Sequence, residues 1–72
     1  MSTAMVQKSR AASVLRESPI PALRKLSIEE TEAIVLINGK VPSYYLKQMA
    51  QETIMPLLDG RALVNRVLVI GH

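Results

Sequence analysis

From residue 26 onward the hydrophobic and polar positions change their period along the chain, and each period predicts one element. Residues 26–29 alternate apolar and polar, as in a strand buried on one face, and residues 33–37 are apolar on both faces. Residues 63–70 favour a third strand, whereas residues 46–57 carry apolar side chains at helical spacing. We therefore expect a hairpin around residues 30–32, then a core-facing helix and a last strand, with no glycine to fix the hairpin turn.

A further helix is expected before the hairpin. Residues 3–17 contain neither Gly nor Pro and carry a weak apolar stripe, which predicts a helix that ends near Glu17. Pro19 and Pro21 then predict an extended link, because proline disfavours helical geometry in itself and in the residue before it.

Capping and turn residues set the bounds of the second helix. Ser43 is suited to cap its first turn, and Pro56 should loosen its last turn. Asp59-Gly60 then reverses the chain into the third strand.

The element order is α-β-β-α-β, which defines an α+β fold class. We predict an N-terminal arm of residues 1–8 and one two-layer domain over residues 9–70, with two helices on one face of a three-stranded mixed or antiparallel sheet. Because a helix joins the second strand to the third, these two strands should run in the same direction. We expect the sheet order 2-1-3, with the third strand beside the first.

The parity of the strands predicts what each face of the sheet carries. With Val35, Ile37 and Val41 turned to the core, and residues 63, 65, 67 and 69 turned the same way, five apolar side chains crowd the opposite face. These five are Ile34, Leu36, Val64, Leu68 and Ile70. Such a patch predicts an interface for a second copy or a protein partner. Two alternatives stay open: the first helix covers this face, or the register is shifted by one residue.

Basic residues concentrate in the first 25 positions, where five of them meet one acid. Such an arm is drawn to anionic surfaces, and the only two aromatic residues lie near Lys40 and Lys47 at the start of the second helix. The residues expected to bind a membrane or another anion are Lys8, Arg10, Arg16, Arg24, Lys25, Tyr44 and Tyr45. The simpler alternatives are a solvated helix face and tyrosines that pack the helix start against a loop.

The chain offers little for catalysis or metal binding. It has no cysteine, its one histidine is His72, and its acidic residues are scattered. We predict that it is not an enzyme, needs no metal or cofactor and takes no small-molecule substrate. Nucleic-acid binding of the KH type is disfavoured, because the Gly-x-x-Gly loop of that module is missing.

The pattern also bears on location. The first residues lack the continuous apolar stretch of a secretory signal, and the apolar runs elsewhere are too short to span a membrane. We therefore expect a cytoplasmic protein that reaches a lipid surface by peripheral association.

Several features together are typical of one small module. Residues 35–41 form a strand-Gly-x-Val step, a polar helix start follows, Ala50 lies within the helix and Asn65 lies in the last strand. Over roughly residues 9–70 the chain thereby resembles a BON domain, the bacterial osmotic-shock and nodulation module. The missing glycine of the first hairpin and residues 58–61 depart from the pattern of that family.

The resemblance implies a non-enzymatic module that associates with phospholipid or holds membrane-linked assemblies together. We therefore expect a small binding module that associates with anionic phospholipid membranes. The alternative is a homodimeric or partner-binding adaptor that uses the apolar sheet face, and nucleic-acid binding is the less favoured third function.

Overall fold

In the computed structural model, which describes residues 10–70, three helices, a short 3-10 segment and three strands follow one another. Their bounds are α1 Arg10–Arg16, α2 Pro21–Arg24, β1 Ser27–Glu30, β2 Ile34–Val41, α3 Tyr44–Ile54, the 3-10 segment Met55–Leu57 and β3 Ala62–Val69. The predicted α+β class is confirmed, with one helix more than expected. The predicted arm of residues 1–8, including Lys8, lies outside the described residues.

The predicted extended link between the two prolines is present at Ile20, but an additional helix, α2, follows it where no helix was expected. Ile20 is extended, with φ −97° and ψ 113°, but Pro21 is the first residue of the helix. Proline suits that position, because its ring fixes φ near about −65° and its missing N–H would have no helical acceptor there. Leu23 is fully buried and holds this single turn against the core.

The hairpin is confirmed, and a threonine explains how it closes without glycine. Strands β1 and β2 pair antiparallel, from Ser27 opposite Asn38 to Glu30 opposite Val35. The Thr31 hydroxyl oxygen accepts hydrogen bonds from the backbone N–H groups of residues 33 and 34, each at 3.0 Å. Threonine therefore supplies the local hydrogen bonds that hold the turn.

The order of the sheet is β1-β2-β3, so the predicted order 2-1-3 is wrong. Strand β3 runs parallel to β2, as predicted. It lies directly beside β2 and not beside β1, and the pairing extends from Ile34 opposite Ala62 to Val41 opposite Val69. Both of these strands have eight residues, whereas β1 has four. The third strand therefore forms a longer ladder beside β2 than it could beside β1.

The core lies on one face of the sheet, and the predicted parity is confirmed there. The buried apolar residues are Ala11, Leu15, Leu23, Leu26, Val35, Ile37, Val41, Ala50, Ile54 and Val67. Val69 was expected on the same face, but it is 40% exposed because it ends the strand.

The predicted cap and turns of the second half are also present. The Ser43 hydroxyl oxygen accepts a hydrogen bond from the N–H of Leu46 at 3.3 Å, and Pro56 lies in the 3-10 segment where the α-helical pattern stops. Asp59 and Gly60 turn the chain with φ values of 54° and 86°. No helix within residues 10–70 has the length and apolar character needed to cross a membrane.

Candidate functional site

The parallel pairing of β2 and β3 brings three segments of the chain to one end of the domain. The N–H of Ile70 donates to the carbonyl oxygen of Val41 at 2.9 Å, and α3 begins three residues after Val41. The start of the antiparallel strand β1 lies there too, because a Cβ built on Gly39 would be 3.3 Å from the Cα of Leu26. We call this end, formed by residues 24–26, 40–47 and 68–70, the tip.

The tip carries most of the exposed large apolar side chains. Tyr44 and Tyr45 are 63% and 70% exposed, and Leu68 and Ile70 are each 59% exposed. With Val69 they make five of the seven such side chains among the described residues. Since Cβ atoms lean toward the N-terminus of a helix, both tyrosines in the first turn of α3 extend toward the tip. The alternative in which the tyrosines pack against a loop does not fit this exposure.

The tip is also basic, since its three segments contain four basic and no acidic residues. Lys25 and Lys40 are exposed, and Lys47 is half-buried in α3. The Arg24 Nη1 donates to the carbonyl oxygen of Ser18 at 2.9 Å, so this guanidinium also ties α2 to the link before it.

Only part of the predicted anion-binding set belongs to the tip. Arg24, Lys25 and the two tyrosines do, whereas Arg10 and Arg16 are exposed on α1 outside it. The sequence analysis did not place Leu68 and Ile70 near the tyrosines. The expected parallel direction of the second and third strands could have predicted this, because the third strand then ends at the end of the sheet where the helix begins.

The opposite end is closed by internal contacts; we call it the hairpin end, formed by residues 30–34 and 55–62. Arg61 Nε donates to the carbonyl oxygen of Leu58 at 2.8 Å, and its Nη2 donates to that of Leu57 at 3.1 Å. The Nη1 of the same guanidinium pairs with the Glu30 carboxylate. The sequence did not predict this contact, which joins residues 31 positions apart.

The sheet face opposite the core, here called the outer face, has no buried residue. By register its members from β1, β2 and β3 are Ser27, Glu29, Ile34, Leu36, Asn38, Lys40, Ala62, Val64, Arg66 and Leu68. The five predicted interface residues do not form one patch, because the polar row of Ser27, Asn38 and Arg66 divides them. Ile34, Leu36 and Val64 lie on one side of that row and are half-buried, whereas Leu68 and Ile70 lie on the tip side.

Asn65 is the polar exception on the core face of β3. Its Nδ2 donates to the carbonyl oxygen of Lys47 at 3.3 Å and to the Gln51 Oε1 at 3.4 Å. Its Oδ1 accepts from the N–H of Val67 at 3.1 Å. The side chain therefore joins β3 to α3 and uses its full amide group.

A cavity of about 410 Å³ opens between α1, α2 and α3, with Val14, Ile20, Leu23 and Met49 in its apolar wall. The Thr53 hydroxyl in the same wall donates to the carbonyl oxygen of Met49 at 2.7 Å. Within residues 10–70 no group of three or more His, Cys, Asp or Glu residues could hold a metal ion. The rest of the cavity lining is Glu17, Ser18 and Pro19.

Comparison of the chain with protein-family models, with curated proteins and with solved structures found no significant match. The resemblance to BON domains and the function that it implies therefore remain predictions. What the structure adds to them is the tip and the outer face.

Proposed function

We propose that the protein is a non-enzymatic, BON-like module that attaches peripherally to anionic phospholipid membranes through its tip. The observation that carries the proposal is the meeting of five exposed large apolar side chains with lysines, and with no acidic residue, at one end of the domain. This combination suits a bilayer interface, where tyrosine rings lie among the headgroups and lysine ammonium groups remain beside the phosphates.

The expected affinity of one domain is modest. Each lysine near an anionic bilayer contributes about 1 kcal/mol, so Lys25, Lys40 and Lys47 together contribute about 3 kcal/mol at most. Salt screens this term, whereas the burial of tyrosine and leucine side chains is insensitive to screening. In this proposal Arg10 and Arg16 add attraction from a distance, and the tip makes the contact.

The test is sedimentation of the protein with vesicles of phosphatidylcholine alone and of phosphatidylcholine mixed with phosphatidylserine, at low and at physiological salt. We expect binding to the anionic vesicles that weakens as salt rises. Tyr45→Ser and Leu68→Ser should each weaken it about tenfold, because each removes about 1.4 kcal/mol or more of apolar burial. Lys40→Glu should weaken binding to the anionic vesicles more strongly at low salt than at physiological salt.

Two variants outside the tip serve as controls. Met55→Ser removes an exposed apolar side chain at the hairpin end and should leave vesicle binding unchanged. Arg16→Glu reverses an exposed charge on α1 and should weaken binding less than Lys40→Glu does. Equal binding to neutral and anionic vesicles, or an effect of Met55→Ser as large as that of Tyr45→Ser, would contradict the proposal.

A further inference from the structure

We infer that the outer face, from the row of Ile34 to the row of Asn38, is a self-complementary interface and that a second copy of this chain packs on it face to face. On β2 and β3 two of its rows are apolar, with Ile34 beside Ala62 and Leu36 beside Val64. The inference does not rest on the membrane proposal, because the outer face shares only Lys40 and Leu68 with the tip.

The outer face carries an acidic residue on one edge strand and a basic residue on the other, which suits a partner related by a two-fold axis. Glu29 lies on β1 in the row of Leu36 and Val64, and Arg66 lies on β3 one row nearer the tip. Both side chains are exposed, and neither forms an ion pair within residues 10–70. Two strand spacings, about 10 Å, separate them within one sheet, and one row adds about 6.6 Å along the strand.

A two-fold axis parallel to the strands brings Glu29 of one protomer close to Arg66 of its partner. It lays β1 of one protomer over β3 of its partner, so Glu29 comes within one row of the partner's Arg66, twice in each dimer. Leu36 on the central strand then meets its own copy. Facing sheets lie about 10 Å apart, which is a gap that a glutamate and an arginine side chain can close between them.

The other face-to-face arrangement is disfavoured by the same charges. An axis perpendicular to the strands lays β1 over β1 and β3 over β3. Because Glu29 and Arg66 lie one row apart, an axis midway between their rows brings each of them within one row of its own copy. Each edge of the contact would then carry two like charges, which repel each other. The charge pattern therefore selects the axis parallel to the strands.

Lys40 limits the interface on its tip side. It lies on the central strand, where the axis would bring it against its own copy, so the contact ends at the row of Asn38. Leu68 and Ile70 then stay outside the contact. Because the axis is parallel to the strands, both tips of the dimer point in one direction.

Sedimentation equilibrium of the full chain without lipid tests the dimer separately from any membrane binding. A contact three strands wide is a small interface, so we expect a dissociation constant of about 10–100 μM and a chain that approaches dimer mass at about 1 mM. Glu29→Arg and Arg66→Glu should each weaken the dimer about tenfold or more, because each creates two like-charge contacts. The double variant Glu29→Arg/Arg66→Glu should restore it, because the pairs are re-formed with their signs exchanged.

Circular dichroism establishes that each variant is folded before its mass is measured, and Leu68→Ser is the matched control that should remain dimeric. A wild-type chain that stays monomeric up to about 1 mM overturns the inference. So does a double variant as monomeric as the single ones, because the charges would then not face each other.

Discussion

The two ends of the domain use their charged groups in opposite ways. At the hairpin end Arg61 bonds two backbone carbonyl groups and pairs with Glu30. At the tip Lys25 and Lys40 are exposed beside two exposed tyrosines. One end is therefore a structural joint, whereas the other is a surface whose groups are available to a ligand.

Helix α3 explains why the joint is needed at only one of these ends. Its first turn lies at the tip, where Ser43 caps it, and its last turn lies at the hairpin end. The last carbonyl groups of a helix have no helical donor. Arg61 supplies donors to the carbonyl groups of Leu57, which ends the 3-10 continuation of the helix, and of Leu58, which follows it, so this end uses a cation for structure.

The largest loss of stability is expected for a substitution at Gly39, where β2 approaches the start of β1 beside the tip. Gly39 has φ +141°, and a Cβ there would lie 2.5 Å from Leu26 Cδ2 and 3.3 Å from Leu26 Cα. Gly39→Ala should lower the free energy of unfolding by about 3 kcal/mol, from overpacking and backbone strain together. Urea denaturation measures this loss.

Gly60→Ala at the hairpin end is the matched control. Gly60 also has a positive φ, +86°, but nothing lies within 4 Å of a Cβ built there. Gly60→Ala should therefore lower the free energy of unfolding by about 1 kcal/mol, from backbone strain alone. Equal losses for the two variants would mean that Leu26 yields to the new methyl group without cost.

The next largest loss of stability is expected when the contacts of Arg61 at the hairpin end are removed. Arg61→Ala removes three donors from half-buried acceptors and should lower the free energy of unfolding by about 2 kcal/mol. Lys40→Ala at the tip removes an exposed charge and should change it by less than about 0.5 kcal/mol. If thermal or urea unfolding gave both variants the same stability, the two ends would not differ in the way described.

The smallest effect on stability concerns a structural contact at the tip, the cap of α3 by Ser43. Ser43→Ala removes the cap of α3 and should cost about 1 kcal/mol. Ser27→Ala, an exposed serine on β1, should cost less than about 0.5 kcal/mol in the same unfolding measurement. A loss for Ser27→Ala that matched Ser43→Ala would show that the cap does not stabilise the helix.

Local patterns were sufficient for the parts of the fold that depend on neighbours in sequence. The Ser43 cap, the Asp59-Gly60 turn and the strand parity each follow from spacing within a few residues, and all are present. The short helix at Pro21 was missed because proline both breaks helices and begins them, and the choice depends on the burial of Leu23.

Longer-range features could not be obtained in this way. The sheet order depends on which partner gives the eight-residue β3 the longer ladder, and the Arg61–Glu30 pair joins residues 31 positions apart. The tip was predictable only in fragments, because its three segments meet only once the sheet order is known. Function, partners and the absence of catalysis remain predictions that the fold does not test.

Asn65 has a consequence for how far the sheet can grow. The N–H groups of Ala62 and Ile70 point to β2, where they bond the carbonyl groups of Ala33 and Val41, so the N–H groups of residues 63, 65, 67 and 69 point away from it. A strand added there would have to take the N–H of Val67 from the Asn65 side chain. The asparagine thus disfavours the pairing of a further strand with the middle of this edge.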